Sequence, residues 1–197
     1  MADIKGLEKV FKKSYNPLIT IPIGDDVPNE INMLVENPKG NINKYEYNTN
    51  TGMIKLDRVL YEQIPYPIEY GAIPQTWDED EDPLDIMAIV TYPTFPGCLL
   101  SVRPVAVLLF DDCGEVDDKI LAVPVDDVRF RNIQDLKDID PHKLDEIGFF
   151  FEHYKQLQFK YKNKEGKVQV KEWKDKSYAF EIINKAVDRF KEKFSED

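Results

Sequence analysis

Cysteine and histidine are scarce in this chain of 197 residues. The two cysteines, Cys98 and Cys113, form no CxxC pair and no disulfide framework, and the two histidines, His142 and His153, are isolated in the sequence. A zinc site built from these side chains is therefore not expected. Without a disulfide framework, a secretory leader or a long apolar run, the sequence favours a reducing cytoplasmic location and no membrane partner.

Positive charge is also in short supply. The net charge is −11, from 37 acidic and 26 basic side chains. This balance disfavours a general nucleic-acid or anionic-membrane binder. It does not disfavour an anionic substrate, because a bound metal ion can invert the local sign of charge. The sequence also contains no P-loop and no GxSxG motif, so neither of those routes to hydrolysis is indicated.

The remaining composition is that of a globular protein, with 42% hydrophobic residues. The length suffices for one domain with a sizeable core, and no repeat or low-complexity linker divides it. We therefore expect residues 1–197 to form a single domain. Within it, residues 1–30 are a weakly defined N-terminal segment.

What the chain has in abundance is acid in one place, at residues 78–85. Six of these eight residues are acidic, and an apolar segment follows directly. Asp85 alternates with apolar residues, so it shares a strand face with core side chains. Asp80 and Asp82 point the same way if the backbone is extended, which Pro83 favours. Three converging carboxylates need a cation, and all-oxygen ligands favour Mg²⁺, Mn²⁺ or Ca²⁺ over zinc.

This stretch has two other interpretations. The first is an ordinary solvated acidic loop, which the following buried strand disfavours. The second is a calcium-binding EF-hand, whose first, third and fifth positions would be Asp78, Asp80 and Asp82. That loop normally has glycine at its sixth position and glutamate at its twelfth, where this chain has Pro83 and Ile89. The EF-hand is therefore rejected.

The hydrophobic pattern predicts an α+β protein. Residues 64–71 hold two prolines and are predicted to be a rigid loop rather than a central strand. Asp140 and Pro141 are typical of a helix start. Strands are predicted at 31–36, 84–90, 99–110, 119–125 and 167–173, a hairpin at 44–47 and 53–58, a short helix lined by Leu7, Val10 and Phe11, a helix from Pro141 to Lys155, and an amphipathic helix at 175–195.

Several chemically reactive side chains lie at the ends of these elements. Asp111 and Asp118 are interpreted as turn formers. The remaining carboxylates, cations and tyrosines are candidate site residues. If they converge, metal-binding oxygens would face phosphate-binding donors, which is the arrangement that a small polyphosphate requires. A metal-bound hydroxide could then attack the polyphosphate directly. The candidate residues are Glu46, Asp80, Asp82, Asp85, Asp112 and Asp117, with Lys44, Arg58, Lys119, Lys155, Tyr70 and Tyr154. A non-enzymatic metal-binding protein and an OB-type nucleic-acid binder remain alternatives.

Residues 80–86, with the sequence DEDPLDI, resemble the D-x-D-P-x-D signature of the soluble family I inorganic pyrophosphatases. The resemblance covers roughly residues 31–157, and its length suggests the bacterial and archaeal type. Further matching motifs lie in the family's order at 44–46, 57–58, 66–71, 103–105, 112–119 and 151–155.

The resemblance implies a closed five-stranded OB-like β-barrel with flanking helices. It implies magnesium-dependent hydrolysis of pyrophosphate to two orthophosphates, with several Mg²⁺ ions per site and Mn²⁺ as a possible substitute. It also suggests a homohexamer.

The resemblance also implies residue roles. Asp82 would hold the attacking water and act as general base. Asp80, Asp85 and Asp117 would bind the first metal, Asp85 being shared with a second. Asp112, Glu46 and Glu36 would serve further ions, with Asp112 preferred to Asp111 because its spacing to Asp117 matches. Phosphate would be bound by Lys44, Arg58, Lys119, Tyr154 and Lys155, and Tyr70 would support the metal–water layer and contact substrate.

Two positions depart from the family pattern. Glu81 stands where the family usually has a small residue, Gly, Ser, Asn or Asp. Cys113 stands where an acidic residue is common.

Overall fold

The computed structural model describes residues 16–48, 51–163 and 165–194. The helix expected around residues 7–11 lies outside this part of the chain. The strands are β1 (Ile31–Asn37), β2 (Asn43–Asn48), β3 (Met53–Val59), β4 (Glu69–Ala72), β5 (Asp85–Ala88), β6 (Leu99–Asp112), β7 (Glu115–Val116), β8 (Lys119–Pro124) and β9 (Val168–Asp175). The α-helices are α1 (Pro17–Thr20), α2 (Pro141–His153), α3 (Gln156–Lys162) and α4 (Lys176–Phe194), and 3-10 turns span Val128–Phe130 and Leu136–Asp138.

Five strands hydrogen-bond to one another in a ring. β1 pairs with β4, β4 with β5, β5 with β8, β8 with β6, and β6 returns to β1. Only the β5–β8 pair of this ring is parallel, with Ile86 opposite Ile120. That register sets Asp85 and Lys119, each one residue earlier, side by side at the same end of the ring.

The alternation of side chains along the ring strands produces two hydrophobic clusters. Met87 and Leu121 pack in one cluster with Phe150 and Phe151 of α2. Their strand neighbours, such as Ile86, pack in the other cluster with Ala179 and Ile183 of α4. The two helices therefore cover opposite faces of the same strands. The expectation that Asp85 shares a face with Met87 agrees with this arrangement.

One predicted loop is partly a central strand. Residues 69–71 were expected to lie in the proline-containing loop, but they belong to β4, which pairs with both β1 and β5. The prediction was wrong at these residues because both prolines precede the strand. β4 also passes very close to β1: a Cβ on Gly71 would lie 2.0 Å from the Leu34 carbonyl oxygen. Only glycine fits this crossing.

The hairpin and the helices mostly follow their predicted positions. β2 and β3 form a separate two-stranded sheet in which Lys44 lies opposite Arg58. Asp140 caps α2, its Oδ1 accepting a hydrogen bond from the His142 backbone N–H at 2.9 Å, and Tyr154 follows the last turn. α3 was not predicted. Among the described residues, no helix combines the length and apolar character needed to cross a bilayer.

Candidate active site

A cavity of about 280 Å³ lies between the β2–β3 hairpin, the ring strands and the end of α2. Its wall is mainly polar, and carboxylates outnumber lysines. All the site residues predicted from the sequence line it except Arg58 and Lys119. They are Glu36, Glu46, Asp80, Asp82, Asp85, Asp112 and Asp117, with Lys44, Lys155, Tyr70 and Tyr154.

Lys119 lies behind the cavity wall and connects two of its carboxylates. Its Nζ donates hydrogen bonds to Asp85 Oδ2 and Asp117 Oδ1, each at 2.7 Å, and to the Tyr70 hydroxyl at 3.3 Å. Three aromatic ring centres stand 5.2 to 5.4 Å from the ammonium. The side chain is only 1% exposed. Burial alone would lower the pKa of Lys119, but the two carboxylates raise it above its ordinary value, so the ammonium stays charged.

Tyr70 completes this group from β4. Its hydroxyl donates to Asp85, because the β4–β5 register places the two side chains on one face. Burial, followed by the charges of Asp85 and Asp117, raises the pKa of Tyr70 well above its ordinary value, so the hydroxyl remains a donor. Burial would also raise the pKa of Asp85, but Lys119 and Tyr70 together hold it below its usual value.

The acidic loop, defined here as residues 77–82, supplies Asp80 and Asp82. The extended backbone expected there is not observed. The Asp78 N–H donates to the Asp82 carbonyl at 2.8 Å, and the Asp82 N–H donates to Asp80 Oδ1 at 3.1 Å. Glu81 has φ of 67°, which lies in the left-handed region and turns the chain back. The tight turn, rather than an extended segment, brings both aspartates to the cavity.

Two lysines reach the cavity from its other sides. Lys44 of β2 pairs with Glu46 two residues on, as expected for residues on one strand face. Lys155, just after α2, pairs with Asp112 at the end of β6. The helix end and the strand end thus place a cation and a carboxylate together, although they are 43 residues apart in sequence.

Arg58 lies on β3, opposite Lys44 of β2, but does not line the cavity. Its guanidinium pairs with Asp57. Its Nε is buried and has no hydrogen-bond partner within the described chain. A buried donor without an acceptor is costly, so Arg58 retains capacity for an anionic partner.

Carboxylates of the wall are held in surroundings that disfavour their charge. Burial raises the pKa of Glu36 to about 8, although the Tyr47 N–H donates to it at 2.9 Å. Partial burial and the neighbouring charge of Asp85 raise the pKa of Asp80 and of Asp82. Burial also raises the pKa of Asp117, against the attraction of Lys119. Additional positive charge would relieve this cost.

The donor chemistry of the wall fits a hard divalent ion. Carboxylate oxygens are the ligands of Mg²⁺ and Mn²⁺, and seven acidic residues surround the cavity. Among the described residues, no three acidic, histidine or cysteine side chains form a closed metal-binding group. In this arrangement the Lys119 ammonium lies between Asp85 and Asp117, and it uses one oxygen of each. The second oxygen of each carboxylate accepts no hydrogen bond from Lys119.

Tyr66 and Arg189 contribute to the site and were not predicted from the sequence. Tyr66 lines the cavity, and its ring packs 4.8 Å from Phe150 and 5.7 Å from Tyr70. Its position between two prolines was the available signal. Arg189 of α4 binds the outer side of the acidic loop through Asp78. No local pattern indicates that contact, because the two residues are 111 positions apart.

Comparison with known proteins identifies the family to which the chain is similar. The family model described as inorganic pyrophosphatase matches residues 33–191. The inorganic pyrophosphatase of Haloferax volcanii is 46% identical over 172 residues, which are 87% of this chain and 94% of that protein. The soluble inorganic pyrophosphatase 1 of Arabidopsis thaliana is 40% identical over 177 residues, covering 90% and 81%.

Solved structures give the same result. The crystal structure of the inorganic pyrophosphatase from Thermus thermophilus superposes with a TM-score of 0.84 at 41% identity, covering 88% of this chain and 98% of that one. A vacuolar soluble pyrophosphatase of Trypanosoma cruzi, crystallised in complex with PPi, superposes with a TM-score of 0.80 at 27% identity and covers 92% and 80%. The resemblance found in the sequence is confirmed. The chain therefore belongs to the soluble family I inorganic pyrophosphatases and is a hydrolase that acts on pyrophosphate.

Proposed function

We propose that this chain hydrolyses pyrophosphate to two orthophosphates in a magnesium-dependent reaction at the carboxylate-lined cavity. The observation that carries the proposal is the wall itself, where seven acidic residues meet two lysines and the hydroxyls of buried tyrosines. A purely metal-storing protein would need the acids alone. The added donors suit an anionic substrate, and the Trypanosoma cruzi relative was crystallised with PPi.

Magnesium would be held by Asp80, Asp85 and Asp117, with several ions per site and Mn²⁺ as a possible substitute. Asp112, Glu46 and Glu36 are available for the further ions. When bound, the ions supply positive charge that neutralises phosphate oxygens and acidifies water.

The side chains of the protein perform the other steps. Asp82, at the exposed edge of the acidic loop, holds the attacking water and takes its proton. Lys44, Lys155, Arg58 and the neutral Tyr154 hydroxyl bind phosphate oxygens and stabilise the charge of the leaving phosphate. They act as fixed donors, so little reorganisation is needed as that charge develops.

Lys119 and Tyr70 act on the carboxylates. Both donate to Asp85, which fixes the direction of its remaining lone pairs. Lys119 also fixes Asp117.

We further propose that the ring of five strands is a closed OB-like barrel with flanking helices, and that the chain forms one domain. A homohexamer is proposed from the family resemblance, and a cytoplasmic location from the sequence, in which the two cysteines form no disulfide framework. Exposed aromatic side chains such as Tyr92, Phe95 and Phe149 support contacts between copies of the chain.

The first test is phosphate release from pyrophosphate with Mg²⁺, comparing the wild type with Asp82→Asn. We expect a loss of about 10²–10⁴-fold, the range for removing a general base, with an unchanged circular dichroism spectrum. Glu172→Gln, which alters a surface pair with Lys174 on β9, is the matched control and should stay active. Full activity of Asp82→Asn would reject its role as the base.

A second measurement separates the enzyme from a metal-buffering protein. A non-hydrolysable pyrophosphate analogue should raise the affinity for Mg²⁺, because the negatively charged analogue and the positively charged ion attract each other within one cavity. Equal metal affinity with and without the analogue would favour the buffering function.

A further inference from the structure

The last turns of α4 contact the acidic loop from outside the cavity. Arg189 Nη1 lies 2.8 Å from Asp78 Oδ1, and its Nη2 contacts Glu79. One guanidinium thus spans two successive acidic residues directly before Asp80. The Asp78 side chain is only 14% exposed, so its charge depends on this partner rather than on water.

Three further contacts join the same two segments. The Trp77 N–H donates to the Ala186 carbonyl at 2.9 Å. The Lys193 ammonium lies 3.8 Å from the centre of the Trp77 ring, within the range of a cation–π contact. Phe194 packs against the same indole edge-to-face at 5.4 Å. The start of the loop is therefore held on the helix by a backbone hydrogen bond, by charged groups and by aromatic packing.

The loop needs such a partner because repulsion between its acidic side chains and an unfavourable backbone angle both destabilise its turn. Five of its six residues are acidic, and its tight turn holds them close together. Glu81 also adopts the left-handed backbone conformation, which is unfavourable for a residue with a side chain. The loop's own chain contains no lysine or arginine. A cation from α4 offsets the repulsion between carboxylates, through Asp78 and Glu79.

We propose that Arg189 is a positioning residue: it holds the acidic loop in the turn that presents Asp80 and Asp82, and thereby sets the affinity of the site for Mg²⁺. This inference rests on the proposed magnesium-dependent function. Arg189 does not line the cavity, so it acts through the loop. Residues that orient metal ligands from behind typically change metal affinity or activity 10- to 100-fold when removed.

The test compares Arg189→Gln with Lys191→Gln in the full chain. Both changes remove one positive charge from α4, but among the described residues the ion pair of Lys191 is with Asp188 on the exposed helix surface, at 3.3 Å. Mg²⁺ binding is measured by titration calorimetry without substrate, and hydrolysis is measured over a range of Mg²⁺ concentrations. For Arg189→Gln we expect at least a tenfold rise in the Mg²⁺ dissociation constant, with activity recovering at high Mg²⁺. Lys191→Gln should match the wild type.

Two more variants extend the comparison, the first by keeping the charge at residue 189 and the second by guarding against a failure to fold. Arg189→Lys keeps the charge but cannot span both carboxylates, so its Mg²⁺ affinity should lie between those of the wild type and Arg189→Gln. Should Arg189→Gln fail to fold, Glu79→Gln removes the more exposed half of the contact and should weaken Mg²⁺ binding in the same direction.

The outcomes are distinct. Unchanged Mg²⁺ affinity in the folded Arg189 variants, or an equal loss in Lys191→Gln, would overturn the positioning role while leaving the proposed function intact. A wild-type protein that hydrolyses pyrophosphate equally well without Mg²⁺ would instead overturn the proposed function.

Discussion

Glu81 and Cys113 share an unusual backbone conformation. Both residues depart from the family pattern, and both have positive φ, 67° and 62°. Left-handed backbone is tolerated best by Gly, Asn and Asp. Neither glutamate nor cysteine is among these residues, so this chain bears backbone strain at both positions.

Replacing Glu81 with glycine should relieve that strain. We expect Glu81→Gly to raise the free energy of unfolding by about 1 kcal/mol, the left-handed penalty reduced by the greater freedom of glycine in the unfolded chain. Urea denaturation without added metal measures the change. Glu115→Gly, at a residue without positive φ, is the control and should lower stability. An equal effect at both positions would contradict the strain argument.

Glu69 is a buried carboxyl whose charge is costly. It accepts hydrogen bonds from the Thr94 N–H at 2.9 Å and hydroxyl at 3.1 Å, yet burial raises its pKa above the ordinary value of 4.5. The folded protein therefore holds this proton more tightly than the unfolded chain. Stability contributed by Glu69 is present below pH 4.5 and is lost as pH rises through the raised pKa.

Glu69→Gln tests this sign. The variant has no proton to lose, so its stability relative to the wild type should increase as pH rises from 4 to 7. Urea midpoints across that range provide the comparison. Asp145→Asn, at an exposed position on α2, should show a constant difference from the wild type. A relative stability of Glu69→Gln that falls with pH would show that the Thr94 hydrogen bonds outweigh burial.

At the scale of elements, local signals predicted what local physics decides. The start of α2 was predicted because Asp140 and Pro141 are adjacent, and both act within one turn. α3 was missed because its first turn has no side-chain cap and the helix spans only seven residues. β4 was misjudged because proline limits a strand only where it lies within it, and Pro65 and Pro67 lie just before.

The α2 cap gives a prediction at this scale. Asp140→Ala removes the hydrogen bond to the His142 N–H and should lower the free energy of unfolding by about 1 kcal/mol. Asp145→Ala, in the helix interior and exposed, should have a much smaller effect. Thermal or urea unfolding distinguishes them. Because Tyr154 and Lys155 follow the opposite end of α2, the Michaelis constant for pyrophosphate should change little.

The candidate site could be predicted further than the fold around it. Carboxylates such as Asp80 and Asp85 were recognised from their spacing and the apolar strand that follows. Lys44 and Lys119 were also predicted as site residues, but the contact of Lys119 with Asp85 was not. Arg189, 111 positions from Asp78, was not predicted. Which cation faces which carboxylate depends on strand register and helix rotation, and neither is a property of a short sequence window.

The charge of the whole molecule opposes its substrate. A net charge of −11 repels pyrophosphate at long range, and the cavity wall repels it at short range. Under the proposed function, metal ions bound at the cavity would reverse the local sign of charge. Ion binding would then precede productive binding of the substrate.

Removing metal should therefore change both activity and stability. We expect chelation to abolish hydrolysis and Mg²⁺ to restore it. Added Mg²⁺ at about 100 times its dissociation constant should stabilise the fold by about 2.7 kcal/mol, seen as a higher melting temperature. Asp117→Asn should reduce that shift, whereas Glu172→Gln should not. An equal shift in both variants would place the stabilising ion elsewhere.

The contact between Trp77 and the end of α4 has a practical consequence. The chain contains two tryptophans, Trp77 and Trp173, and Trp173 lies on β9. In a Trp173→Phe variant, indole fluorescence would come from the base of the acidic loop alone, beside the Lys193 ammonium and the Phe194 ring. The emission of that single fluorophore would then show, without any attached dye, when the acidic loop separates from α4.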